Sequence, residues 1–136
     1  MVNHGFRLDR MGIADDDVVG HAIEVLEIAE CAALLAGGGS HPFSRAELAY
    51  ARATRDPERR LAARLAAKRA AARLLGGGVE PEDVEVLRRP GGPPRLGLSA
   101  RASGRLAELG ADRTLVSLTH GREQAAAAVL LLRGGS

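Results

Sequence analysis

Two short rows of cations carry the clearest chemical suggestion in the chain. Arg60, Arg64 and Lys68 stand four residues apart, and Arg69 and Arg73 repeat that spacing one residue further round. Both rows lie in the stretch ERRLAARLAAKRAAARLLGGGV, Glu58 to Val79, which ends in the turn Gly76, Gly77 and Gly78. Cations beside glycines, where backbone N–H groups can come close to a ligand, suit a phosphate-bearing partner. The ordinary alternative is a solvated basic face on a core helix. One detail tells against that alternative: among 19 Lys plus Arg, Lys68 is the only lysine. A lysine is a compact charge that can serve phosphate or proton chemistry where a guanidinium cannot.

The other candidates are weaker. Glu24 and Glu27 are three apart in a strand pattern, so they point to opposite faces and form no acid/base pair. His120 closes a strand, where a lone histidine is ordinarily a hydrogen-bonded structural residue. His21 beside Gly20 reads as local packing. No Cys or second His has metal-ligand spacing, and no Ser-His-Asp constellation can be assembled.

The elements that must position these residues follow from period and punctuation. Residues 1–17 lack a clear period and read as a flexible leader, with 18–136 as one domain. A strand runs from Val18 to about Leu26, and a short helix from Ala29 to Leu35 stops at the glycines 37–39. Ser44 with Glu47 makes a capping box for a second helix. The central helix starts after Asp56 and Pro57 and stops at Gly76; Leu61, Leu65, Ala72 and Leu75 give it a core side. Two short strands about the stiff turn RRPGGPP form a hairpin, and a helix follows from Arg101 to Leu109. TLVSLTHG reads as a strand ending at His120. Residues 122–133 suit a helix by propensity, or a buried strand by their apolar end. The order β-α-α-α-β-β-α-β-β predicts an α+β fold, an antiparallel sheet packed on a long central helix.

Composition narrows the function classes. A length of 136 residues with 46% hydrophobic content describes one globular domain. A net charge of only +2 argues for a local basic patch rather than a nucleic-acid partner. Phe6, Phe43 and Tyr50 supply no row of rings for stacked bases. The single Cys31 rules out an internal disulfide and suits a reducing compartment, no apolar run reaches membrane-spanning length, and the cytoplasm is the expected location.

Five segments in register resemble the holo-acyl-carrier-protein synthase family, the small 4′-phosphopantetheinyl transferases. The family's first strand, G-[IV]-G-I-D-[IL]-V-E-I, is similar to VGHAIEVLEI, Val19 to Ile28. Its [FL]-[ST]-x-x-E-L helix entry is similar to Phe43-Ser44-Arg45-Ala46-Glu47-Leu48. Its signature helix, L-A-x-R-[FW]-A-A-K-E-A, and glycine turn resemble Leu61 to Ala70 and Leu75 to Gly78. Its N-G-K-P hairpin is matched by Gly91-Gly92-Pro93-Pro94, and its V-S-[IL]-[ST]-H strand by Val116 to His120. The resemblance implies a homotrimer with sites between subunits. It also implies coenzyme A as donor, Mg²⁺ held by a strand Asp and a helix Glu, and an acyl carrier protein as acceptor, in fatty-acid or polyketide biosynthesis. Lys68 and His120 would then be catalytic, and Arg64, Arg73, Gly76, Gly77, Gly78 and Pro94 would bind coenzyme A.

The departures from that pattern fall on the chemistry. The Asp position is Glu24, one methylene longer, a doubtful metal ligand. The helix Glu position is Arg69, which repels a cation. The docking arginine of the first helix is Glu30, the helix aromatic is Leu65 and the hairpin Lys is Pro93. Three expectations follow: a transferase in which Arg69 neutralises diphosphate charge; a non-enzymatic protein that binds coenzyme A or a carrier protein; or an enzyme repurposed to a carrier-tethered acyl chain.

Overall fold

The computed structural model describes residues 17–134. The leader expected over 1–17 lies outside the described residues except for Asp17, whose carbonyl accepts the Arg133 N–H at 2.9 Å. The elements are β1 (Val18–Glu27), α1 (Ile28–Ala36), α2 (Arg45–Arg52), α3 (Pro57–Leu75), β2 (Val84–Arg88), β3 (Pro94–Leu98), α4 (Ala100–Glu108), β4 (Arg113–His120) and β5 (Gln124–Leu132). A 3-10 turn, Pro81–Asp83, leads into β2. This is the expected α+β order.

Among the described residues, five strands form two antiparallel sheets, one of order β1-β5-β4 and the hairpin β2-β3. The ambiguous segment is strand β5, the central strand of the larger sheet. Its Ala125, Ala127, Val129 and Leu131 are buried on the face toward α3, so pairing on both edges and burial on one side override the helix propensity of its alanines. Alternation also settles the carboxylates of β1. Glu24 shares the inner face with Leu26, and Glu27 points outward with Ile23 and Val25. The two apolar residues are 65% and 56% exposed, and in register they flank Ala126, Ala128, Ser117 and Thr119 on the outer sheet face. At the other end of β1 a Cβ on Gly20 would come within 3.1 Å of Leu74, so glycine there lets the end of α3 lie close to the strand.

Helix α3 is the axis of the molecule. Pro57 at its first turn is pre-set for helix, and small side chains at Ala62, Ala63, Ala66, Ala67, Ala70 and Ala71 let its neighbours approach from several sides. Every residue from Leu61 to Lys68 is buried. The row Arg60, Arg64, Lys68 is therefore not a solvated basic face: β1, β4 and β5 pack on the helix, as do α1, α2 and β2, and the Lys68 side is the one that meets α2 and β2.

A buried ion pair joins that second side. Lys68, 1% exposed, donates to Glu47 Oε1 at 2.8 Å and to the Val84 carbonyl. The other carboxylate oxygen of Glu47 accepts the Val86 N–H at 2.7 Å. Glu47 also completes the capping box of α2, accepting the Ser44 N–H at 2.8 Å while its own N–H donates to Ser44 Oγ at 3.1 Å. One carboxylate thus ties α2, α3 and β2 together. Removing one partner strands the other charge in the core, whereas removing both need not. Glu47→Leu or Lys68→Met alone is expected to cost about 3–5 kcal/mol in urea unfolding, and the double variant less than either single change.

Candidate active site

The two rows of cations leave α3 in two directions. Five residues of helix separate Arg64 from Arg69, about 140° of rotation, so the two rows look to different neighbours. Arg64, 2% exposed, faces α2, with its guanidinium carbon 4.2 Å from the centre of the Tyr50 ring. Burial pushes its pKa down, Tyr50 and Glu47 push it back, and Arg88 adds to the lowering. Its Nε is buried and finds no hydrogen-bond partner. Lys68 lies on the same side, held by Glu47 as described. Neither side chain opens onto the surface of this chain.

Arg69 and Arg73 do. Arg69 pairs with Glu30 of α1 at 2.7 Å, and Arg73 pairs with Glu24 of β1 while donating to the Ile23 carbonyl at 3.0 Å. The result is a partly open strip across β1, α3 and α1 in which two guanidiniums alternate with two carboxylates. Glu24, Arg69 and Arg73 are the sequence candidates that the structure brings to one face; Glu30, a charge reversal by sequence, is the partner of Arg69. Cys31, buried beneath, has its thiol pushed up to about 11, chiefly by burial, so it offers no nucleophile there.

The glycine turn closes α3. Gly76, Gly77 and Gly78 all have positive φ, at 63°, 60° and 86°. Arg105 of α4 lies across the turn and donates its Nε–H to the Leu75 carbonyl at 2.6 Å, satisfying an end of α3. A Cβ on Gly77 would sit 2.7 Å from the Arg105 side chain, and one on Gly78 3.3 Å from Arg101. The glycines therefore seat Arg105 as well as shaping the turn. Sequence reasoning missed Arg101 and Arg105, although their own four-residue spacing was the signal that singled out the rows on α3.

The remaining candidates are dispersed. Pro94 opens β3 opposite Arg88 in the hairpin. His120 ends β4, exposed, in an open pocket of about 730 Å³ with Val25, Thr119, Arg122, Glu123 and Gln124 in its lining. That lining includes none of Glu24, Lys68, Arg69 or Arg73.

No protein-family model matches the chain. Relatives do. A holo-[acyl-carrier-protein] synthase of Anaeromyxobacter dehalogenans strain 2CP-1 is 38% identical over 125 residues, covering 84% of this chain and 95% of the relative. That of strain 2CP-C is 36% identical over 129 residues, covering 87% and 98%. The chain belongs to the holo-acyl-carrier-protein synthase family. A synthase of Nitratidesulfovibrio vulgaris Hildenborough reaches 52% identity over 75 residues, a match spanning 60% of that relative's length and 52% of this chain. Among solved structures, the acyl carrier protein synthase of Mycobacterium tuberculosis superposes with a TM-score of 0.70 at 28% identity, covering 86% of this chain and 99% of that one. The Chronobacterium ammoniagenes synthase in its coenzyme A complex gives 0.72 at 23% identity, covering 85% and 98%, and speaks to the fold alone.

Synthases of this family are expected to hold Mg²⁺ between a strand and a helix carboxylate, and the residues here do not fit that ion. Glu24 is already neutralised by Arg73, and the helix position carries the guanidinium of Arg69. Among the described residues no group of three His, Cys, Asp or Glu could hold a metal. The glycine turn yields a direct check. Gly77→Ala should lower stability by about 1–3 kcal/mol through its positive φ, with loss of the Arg105 contact adding to it. Thermal unfolding beside Gly39→Ala, which meets nothing within 4 Å, measures the difference.

Proposed function

We propose that this protein is a holo-acyl-carrier-protein synthase that binds coenzyme A and passes its 4′-phosphopantetheine arm to a serine of an acyl carrier protein in the cytoplasm. The observation that carries the reading is family membership over nearly the whole length of the Anaeromyxobacter relatives, together with two surface guanidiniums on the signature helix. In the transfer, the serine oxygen bonds to the phosphorus that bears the pantetheine. The P–O bond to the other phosphate breaks, and adenosine 3′,5′-bisphosphate leaves with the added negative charge. Arg73 and Arg69 are the groups placed to meet that charge, as preorganised cations do in phosphoryl transfer. Lys68 acts from inside as a positioning residue, fixing α3 against α2 and β2. His120, exposed at the end of β4, is the group free to take the serine proton, from a neighbouring subunit's side of the site.

A trimer accompanies this reading. The outer face of the larger sheet leaves Ile23 and Val25 in water, with alanines and small polar residues beside them. Such a contiguous face is the kind that subunits cover. Sedimentation equilibrium at micromolar concentration should give a trimer, and Ile23→Asp with Val25→Asp should shift it to monomer; a wild-type monomer overturns the assignment.

The engagement of both carboxylates by arginines favours a second reading, in which coenzyme A binds without transfer. One assay separates the two. Incubation with coenzyme A and an apo carrier protein from the same cell is expected to add one phosphopantetheine to the carrier by mass spectrometry, and Arg73→Ala is expected to lower the rate at least about tenfold, given the usual weight of a charged contact at a developing anion. Binding by calorimetry without any mass shift selects the second reading.

A further inference from the structure

The strip of Arg69, Glu30, Arg73 and Glu24 carries an inference about how the diphosphate is held. The helix position that would carry a metal carboxylate carries a guanidinium instead, and the structure shows what that guanidinium meets. Arg69 stands where a helix carboxylate would help hold a cation, and its partner is Glu30, 2.7 Å away on α1. One turn further along α3, Arg73 is held by Glu24, the position of the other metal carboxylate. Each carboxylate is thus engaged by a guanidinium, and each guanidinium is kept extended at the surface by a carboxylate. Arg73 is further fixed by the Ile23 carbonyl at 3.0 Å.

We infer that this site takes a diphosphate without a divalent cation, Arg69 and Arg73 supplying the positive charge, and that Glu24 and Glu30 are displaceable counter-ions rather than ligands. The physical grounds are charge and geometry. Two permanent cations one helical turn apart bracket an anion that carries charge on two adjacent phosphates, and a guanidinium presents paired N–H donors to phosphate oxygens. A divalent ion entering between them would meet two like charges and carboxylates already neutralised. The side chains of Arg69, Glu30 and Arg73 are 34%, 50% and 57% exposed, so an incoming anion can reach the guanidiniums and the released Glu30 can be hydrated. Glu24, at 21%, is the more enclosed partner and the stronger competitor.

The role assigned to Glu24 separates this site from a metal centre by sign. A metal ligand aids diphosphate binding, so removing its charge weakens the complex. A counter-ion opposes it, so removing its charge strengthens the complex.

The ligand class rests on the coenzyme A reading, and inorganic pyrophosphate serves as a second probe so that the two can fail separately. Isothermal titration of the full chain with coenzyme A and with pyrophosphate, each in EDTA and in Mg²⁺, is compared for wild type, Glu24→Gln, Glu30→Gln and Arg69→Gln. Circular dichroism confirms that each variant is folded. For wild type the expected result is the same coenzyme A affinity in EDTA as in Mg²⁺, falling as salt rises. Glu24→Gln and Glu30→Gln should each tighten both probes about two- to fivefold, the range that release of one exposed ion pair allows, and Arg69→Gln should weaken both. Affinity that appears only with Mg²⁺, or that falls in Glu24→Gln, overturns the inference while leaving the coenzyme A reading intact. Metal-independent binding of pyrophosphate without binding of coenzyme A upholds the anion site and removes the coenzyme A reading. Failure of both probes in both buffers overturns both.

Discussion

Everything that the signature helix presents depends on one buried charge pair, Lys68 with Glu47. A lysine and a glutamate in a core are tolerable only when their remaining hydrogen-bonding capacity is met, and here the Val84 carbonyl, the Val86 N–H and the Ser44 N–H meet it. Those partners come from α2 and from the first strand of the hairpin, so the pair sets where two otherwise separate pieces sit against α3. An apolar pair would pack there without direction; hydrogen bonds of fixed geometry set register as well as distance. With the inner side of α3 fixed in rotation, Arg69 and Arg73 on its other side are delivered to β1 and α1.

The outer side is held by looser means. Its two ion pairs are partly solvated, so each contributes little to stability, and their value lies in orientation and in the potential they create. The same helix therefore carries charges used in two ways. Lys68 is buried and held by two protein acceptors, whereas Arg69 and Arg73 are held by partners that water can replace. The glycine turn adds a third use, in which Arg105 lies over Gly77 to satisfy the Leu75 carbonyl. A chain so rich in arginine spends several of its guanidiniums on structure.

Much of the fold was legible in the sequence because its punctuation is local. The capping box at Ser44 and Glu47, Pro57 at the first position of α3, the glycines after it and the hairpin turn each mark a boundary through backbone chemistry that no tertiary contact has to supply. Segment 122–133 was ambiguous because its alanines favour helix until two strands pair with it. The site was legible in part. The four-residue spacings put the cations in two rows, but spacing gives a row and not which row is covered. Whether Arg64 and Lys68 face water is decided by α2 and β2, which reach the helix through contacts distant in sequence. The lone lysine, read by its chemistry as a group for phosphate or proton transfer, is buried against Glu47. The link between Glu30 and Arg69 was invisible from the sequence, since 39 residues separate them.

That link has an evolutionary meaning. Arg69 and Glu30 touch, so changing either one alone toward the family pattern sets like charges against each other: two carboxylates in one case, two guanidiniums in the other. Each such single reversal trades an attraction for a repulsion, a modest one because both side chains are partly solvated, so reversals at the two positions are coupled in sign. A relative with the opposite charge at one position is expected to carry the opposite charge at the other.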